Sequence, residues 1–167
     1  LPRESGQFKY IGHKSINNDK IGSNRIISIF KDKTSSLWLG TANDGLYQVS
    51  SNGSTRHYIP TRGGVPPFVS GILQDSGDSY WLASLVDGLF RFNPMSGQCT
   101  KIPIYYKNKE MKGVTCITED GNKNIWIGVM GGGLLRWDMR TKKMYQMRTY
   151  DNGQQFSENG NLLHNRW

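Results

Sequence analysis

The 167 residues predict an all-β fold, a partial β-propeller of three four-stranded antiparallel blades with edge strands from truncated neighbouring blades. Three observations predict it. The first is a motif that returns three times. Nine residues separate Ile29 from Trp38, Ile72 from Trp81 and Ile117 from Trp126, and an acid (Asp32, Asp75, Asp120) stands six before each Trp. The second is the period. Trp38 to Trp81 is 43 residues and Trp81 to Trp126 is 45, and self-similarity at about 40–45 residues marks four-stranded propeller blades. The third is the Gly-Leu pair that follows each Trp: Gly45-Leu46, Gly88-Leu89 and Gly133-Leu134.

The first repeat justifies its elements in order. Ile26 to Phe30 is a short β-branched run and predicts a strand. Asp32 to Ser36 is turn material, as are Asp75 to Ser79 and Asp120 to Asn124. Leu37 to Thr41 is a second strand. Asn43-Asp44-Gly45 is a hairpin signal, because Gly tolerates the positive φ that such turns require. Leu46 to Val49 is the third strand and Thr55 to Ile59 the fourth. Tight hairpins throughout mean an antiparallel meander. Within a single domain over 1–167, blade one covers about 26–59, blade two about 69–102 and blade three about 114–147. Residues 8–12 are expected to form an outer strand of a preceding blade, and residues 161–167 the start of a following one, since Asn165-Arg166 repeats Asn24-Arg25.

Alignment of the copies adds a packing pattern. Ser28, Gly71 and Cys116 are equivalent and small, as are Gly40, Ala83 and Gly128. Small residues at fixed strand positions indicate close approach by a neighbouring sheet. Val49, Phe92 and Trp137 are equivalent and bulky, which suits the wider outer part of a blade. A residue repeated at one place in every blade belongs to an inter-blade core, so Trp38, Trp81 and Trp126 are assigned there with Leu46, Leu89 and Leu134.

Composition narrows the function. No run of about 18 apolar residues exists, so nothing here is expected to touch a membrane. The net charge is +8, with the excess late in the chain. It would favour an anionic ligand, but lysines also blunt exposed strand edges. No basic helix, zinc-ligand spacing or RNA-recognition signature argues for nucleic acid, metal or cofactor. Cys99 and Cys116 fall on different strands and are expected to be buried, unpaired thiols. Catalysis would need a convergent acid–base set. His13, His57 and His164 are the available imidazoles; His57 is expected on an outer strand and His13 just after another, so neither is well placed near an axial site.

The unit Leu37-Trp38-Leu39-Gly40-Thr41 followed by Gly45-Leu46-Tyr47 resembles the two-component regulator propeller repeat. Trp81-Leu82-Ala83-Ser84 with Asp87-Gly88-Leu89-Phe90, and Trp126-Ile127-Gly128 with Gly132-Gly133-Leu134, are similar. The copies depart from the Gly-Thr consensus at Ala83-Ser84 and Val129. The resemblance implies the periplasmic sensor region of a hybrid two-component system of Bacteroidetes type. The parent would be anchored in the inner membrane, would respond to oligosaccharides and would signal through a downstream histidine kinase. This segment would bind or transmit and catalyse nothing. Alternatives are a generic protein-interaction propeller and a propeller-fold lyase or hydrolase.

A sugar site needs aromatic faces and planar polar groups. The loops between second and third strands offer Asn43, Asp44, Asp87 and Met130, and the linkers offer Arg62, Phe68, Tyr105, Tyr106, Lys107 and Arg148. Asp44 and Asp87 also suit hairpin geometry, and the two tyrosines also suit packing of a linker over the sheet. Three blades leave open edges, so association is expected, most simply as a dimer; in the parent, the rest of the propeller would take that place.

Overall fold

A computed structural model describes residues 21–23, 25–106 and 109–147. The strands anticipated at 8–12 and 161–167 lie outside the described residues, as do Lys107 and Arg148. Three four-stranded antiparallel meanders form. Blade one holds β1 (Ile26–Lys31), β2 (Leu37–Thr41), β3 (Leu46–Val49) and β4 (Thr55–Tyr58). Blade two holds β5 (Gly71–Gln74), β6 (Tyr80–Ser84), β7 (Gly88–Phe92) and β8 (Cys99–Ile102). The connection onward is a small hairpin of β9 (Ile104–Tyr106) and β10 (Lys109–Met111). A plain linker is what the sequence suggested there; the β-branched and aromatic run Ile104-Tyr105-Tyr106 supplies the strand. Blade three holds β11 (Val114–Glu119), β12 (Ile125–Val129), β13 (Gly133–Asp138) and β14 (Lys143–Met147).

The registers repeat. Ser28 pairs with Gly40, Gly71 with Ala83 and Cys116 with Gly128. These small pairs lie where blades converge: β5 packs against both β1 and β11. A Cβ on Gly40 would fall 2.5 Å from the carbonyl oxygen of Val69, just ahead of β5. Cys116 is exposed and Cys99 half-buried, both as free thiols, so the expectation of two buried thiols fails. The face of β11 carrying Cys116 has no described sheet against it.

Each β1–β2-type turn is built by its aspartate. Asp75 Oδ1 accepts the backbone N–H groups of Gly77 and Ser79 at 3.0 and 2.8 Å. Its Oδ2 accepts the indole N–H of Trp81 at 2.8 Å. Trp38 donates to Asp32 at 2.8 Å and Trp126 to Asp120 at 2.7 Å in the same way. Hence the constant six-residue spacing: a three-residue loop must bring the carboxylate under the indole. The third loop residue takes positive φ in every copy, Ser35 at 66°, Asp78 at 64° and Lys123 at 66°. This is the type I turn with a left-handed residue that three-residue hairpins favour.

The hydrophobic core sits between blades. Trp38, Leu46 and Tyr58 of blade one pack with Val65 and Val69 of the linker against Ile72, Leu82 and Phe92 of blade two. Trp81, Leu89 and Ile102 of blade two pack against Ile125, Ile127, Leu135 and Trp137 of blade three. Trp38 and Trp81 are buried, as are Leu46 and Leu89. Trp126 is only half-buried and Leu134 is 37% exposed, against the expectation that all six are core. Each blade's Trp and Leu face the blade that follows, and among the described residues none follows blade three.

Polar latches join the turns across blades. The N–H of Lys33 donates to Gln74 Oε1 at 2.9 Å, and the N–H of Ser76 donates to the Glu119 carboxylate at 2.8 Å. Donor and acceptor occupy the same repeat positions, one after and one before the aspartate.

Candidate functional site

In a meander, the second-to-third strand turns and the blade linkers must lie at one end. Asn43, Asp44, Asp87, Met130, Arg62, Phe68 and Tyr105 therefore share it. The β2–β3 turn is held rigidly. Thr41 Oγ1 accepts the Asp44 N–H at 2.8 Å and donates to the Gly45 carbonyl at 3.0 Å. Gly45 has φ 72°, and a Cβ there would fall 2.5 Å from the Tyr58 carbonyl oxygen, so this position requires glycine.

On that turn Asp44 organises a polar cluster. Its Oδ2 accepts the Tyr47 hydroxyl at 2.5 Å, and the Tyr47 oxygen accepts the Gly22 N–H at 2.9 Å. The Tyr47 and His57 rings stack in parallel, centroids 4.0 Å apart. His57 Nε2 lies 2.8 Å from the Asp44 carbonyl oxygen and 3.5 Å from Oδ1. Both are acceptors, so Nε2 carries the proton. Burial, then the Asp44 carboxylate, pushes the Tyr47 phenol up to about 12. Tyr47 therefore stays protonated and donates at any ordinary pH.

Around this cluster lies a hollow of about 610 Å³, lined by Gly22, Ser23, Arg25, Asn43, Asp44, Tyr47 and His57. It presents a carboxylate, a guanidinium, an amide and two hydroxyls at the margin of a flat stacked pair. That set matches a polyhydroxylated ligand, which offers donors and acceptors in one plane. The cluster belongs to blade one alone. The register counterparts of the Tyr47–His57 pair are Phe90–Lys101 and Leu135–Gln146, and that of Asp44 in blade three is Gly132.

Of the residues singled out from sequence, the structure gathers Asn43 and Asp44 here. Asp87 lines a separate hollow of about 370 Å³ with Thr61, Gly64 and Lys101. Arg62 is exposed, Phe68 half-buried, Tyr105 37% exposed and Met130 59% exposed, and none of them lines either hollow. Tyr106 sits on β9. Gly22, Ser23, Arg25, Tyr47 and His57 are the members that sequence reasoning passed over. Their signal is a departure from the repeat: at matched strand positions, blade one alone carries a Tyr beside a His. Among the described residues no group of three or more His, Cys, Asp or Glu is arranged to hold a metal ion.

Residues 20–43 match the family described as two component regulator propeller. That stretch is one copy of the unit that recurs in blades two and three. A curated histidine kinase of Formosa agariphila is 25% identical over 144 residues, covering 80% of this chain and 10% of that protein. Two solved extracellular domains assigned to hybrid two-component systems of B. thetaiotaomicron share the fold. One gives a TM-score of 0.61 at 21% identity, covering 79% of this chain and 16% of its own. The other gives 0.59 at 24% identity, covering 83% and 18%. The chain thus spans a small part of each relative.

Proposed function

We propose that this regulator propeller is a ligand-sensing segment of an extracytoplasmic sensor. It responds to an oligosaccharide in the periplasm and passes the signal to a histidine kinase downstream in an inner-membrane-anchored parent. The observation that carries the binding role is the blade-one hollow. It sets beside Asp44 a Tyr47–His57 pair whose register positions in blades two and three hold Phe90–Lys101 and Leu135–Gln146, on a rigid repeat scaffold, the arrangement in which loops carry function. The relatives' descriptions as a histidine kinase and as extracellular domains support the signalling role and the location. The segment binds and transmits; it has no catalytic role in this reading.

Glycan-array screening followed by calorimetry on the intact ectodomain tests it. An oligosaccharide hit is expected, and Asp44→Ala and Arg25→Ala should each weaken it about tenfold or more, the value of one charge-assisted hydrogen bond. A hit insensitive to both substitutions would move the site elsewhere. An array with no hit on a folded ectodomain would end the oligosaccharide reading.

A further inference from the structure

The polar groups of the blade-one hollow are not balanced between donors and acceptors. Its carboxylate, Asp44, is already engaged: Oδ2 accepts the Tyr47 hydroxyl at 2.5 Å, and Oδ1 lies 3.5 Å from His57 Nε2. The Ser23 hydroxyl oxygen accepts the Arg25 N–H at 3.2 Å, which leaves its own O–H to donate. The Arg25 guanidinium and the Asn43 amide line the same hollow. Both residues are exposed, and among the described residues no carboxylate pairs with Arg25. An arginine offers several N–H donors in a planar fork and no acceptor. The groups left for a ligand are therefore mostly donors, and one of them is a full positive charge.

The backbone holds Arg25 beside the turn that carries Asn43. The Ala42 N–H donates to the Arg25 carbonyl at 3.0 Å. The corresponding bond in blade three runs from the Met130 N–H to the Gly113 carbonyl at 2.7 Å. Gly113 is thus the counterpart of Arg25. Arg25, Phe68 and Gly113 stand at the same distance before Ile29, Ile72 and Ile117, so the blade-two counterpart is Phe68. For Asn43 the counterparts are Val86 and Gly131. Neither blade two nor blade three carries a side-chain donor at either position. The repeat therefore folds without the cation and without the amide, and blade one holds both on one rim.

We propose that the hollow selects an acidic oligosaccharide and recognises it through the carboxylate of a uronic acid residue. The proposal rests on the oligosaccharide reading above and narrows it. The carboxylate meets Arg25, whose planar fork matches its two oxygens, with the Asn43 amide as a further donor. Ring hydroxyls meet Ser23 and the remaining lone pairs of Asp44. The Tyr47 hydroxyl and the His57 N–H face the Asp44 carboxylate and offset part of its charge, so an acid can bind at the Arg25 end of the same hollow. The net charge of +8 adds a long-range attraction for an anion.

Calorimetry on the intact ectodomain tests it. The probes are oligosaccharides of galacturonate, glucuronate and mannuronate, each set against its carboxyl-reduced neutral partner. A uronide is expected to bind about tenfold or more tighter than its reduced partner. Arg25→Gln removes the cation from an exposed position that holds Phe68 and Gly113 in the other copies. It should keep the melting temperature and bring the members of a pair to within about twofold of each other. Neutral partners that bind as tightly as the uronides overturn this proposal and leave the oligosaccharide reading standing. Absence of binding by every uronide also overturns it, and the glycan array then decides whether the broader reading falls with it. A preference for the acid that survives Arg25→Gln overturns the assignment to this hollow. A sulfated neutral partner that binds tighter than the uronide overturns it in favour of a sulfate ester.

Discussion

At the scale of single residues, the aspartate six positions before each tryptophan does two jobs with one carboxylate. One oxygen closes the turn, and the other satisfies an indole N–H that would otherwise be buried unpaired. Asp75→Ala removes both and is expected to cost about 1–3 kcal/mol for the stranded indole alone, read by chemical denaturation. Trp81→Ala should cost about 3–5 kcal/mol because that ring is fully buried between blades. Trp126→Ala should cost less, since its ring is half-buried; equal losses would mean that its face is covered. Acid behaviour follows from the same carboxylates. Burial opposes the charge on Asp120, but bonds from Asn124, the Trp126 indole and the Asn122 N–H outweigh it and hold its pKa at about 2, against an ordinary 3.8. A depressed folded-state pKa means that the unfolded chain binds the proton first. Its contribution is complete above the ordinary value and is lost as pH falls from 3.8 toward about 2. Denaturant midpoints across that window should fall for the wild type and fall less for Asp120→Asn.

At the scale of elements, the recurrent hairpin was readable in outline only. Polar runs after each first strand announced turns, yet the left-handed third residue is Ser35, Asp78 and Lys123, none of them glycine. A lysine with positive φ is a local cost that the register imposes, since the carboxylate can reach the indole only through this loop. Lys123→Gly should therefore stabilise the chain by about 0.5–1 kcal/mol, seen as a raised melting temperature. Gly53 and Gly97 show the cheaper solution in the third-to-fourth strand turns, with φ 86° and 74°. The β9–β10 hairpin escaped sequence reasoning because it lies outside the repeat, and no periodic copy exists against which to align it.

At the scale of the whole molecule, blades stack by one rule: the Trp–Leu face of each packs on the reverse face of the next. Among the described residues this leaves a reverse face on blade one, with Ile29 69% and Leu37 40% exposed, and a Trp–Leu face on blade three, with Leu134 37% exposed. Those faces are of the two kinds that already pair twice within the chain. We propose that a second copy joins them head to tail, a heterologous contact that closes only if the rotation allows. Light scattering should then show a mass above 18.9 kDa that rises with concentration. Leu134→Glu should return it to that of a single chain; a concentration-independent monomer would refute the association.

The sequence by itself determined the repeat, its four strands, the loop end that carries Asn43 and Asp44, and the burial of Trp38 and Trp81. These follow from local periodicity and turn chemistry, which a linear chain displays. Only the tertiary structure decided that Tyr47, His57 and Arg25 meet around Asp44, and that Trp126 and Leu134 stay partly uncovered while their counterparts in blades one and two are buried. Both depend on which side chains face one another across strands and blades. Spacing along the chain fixes that parity only after register and blade order are known.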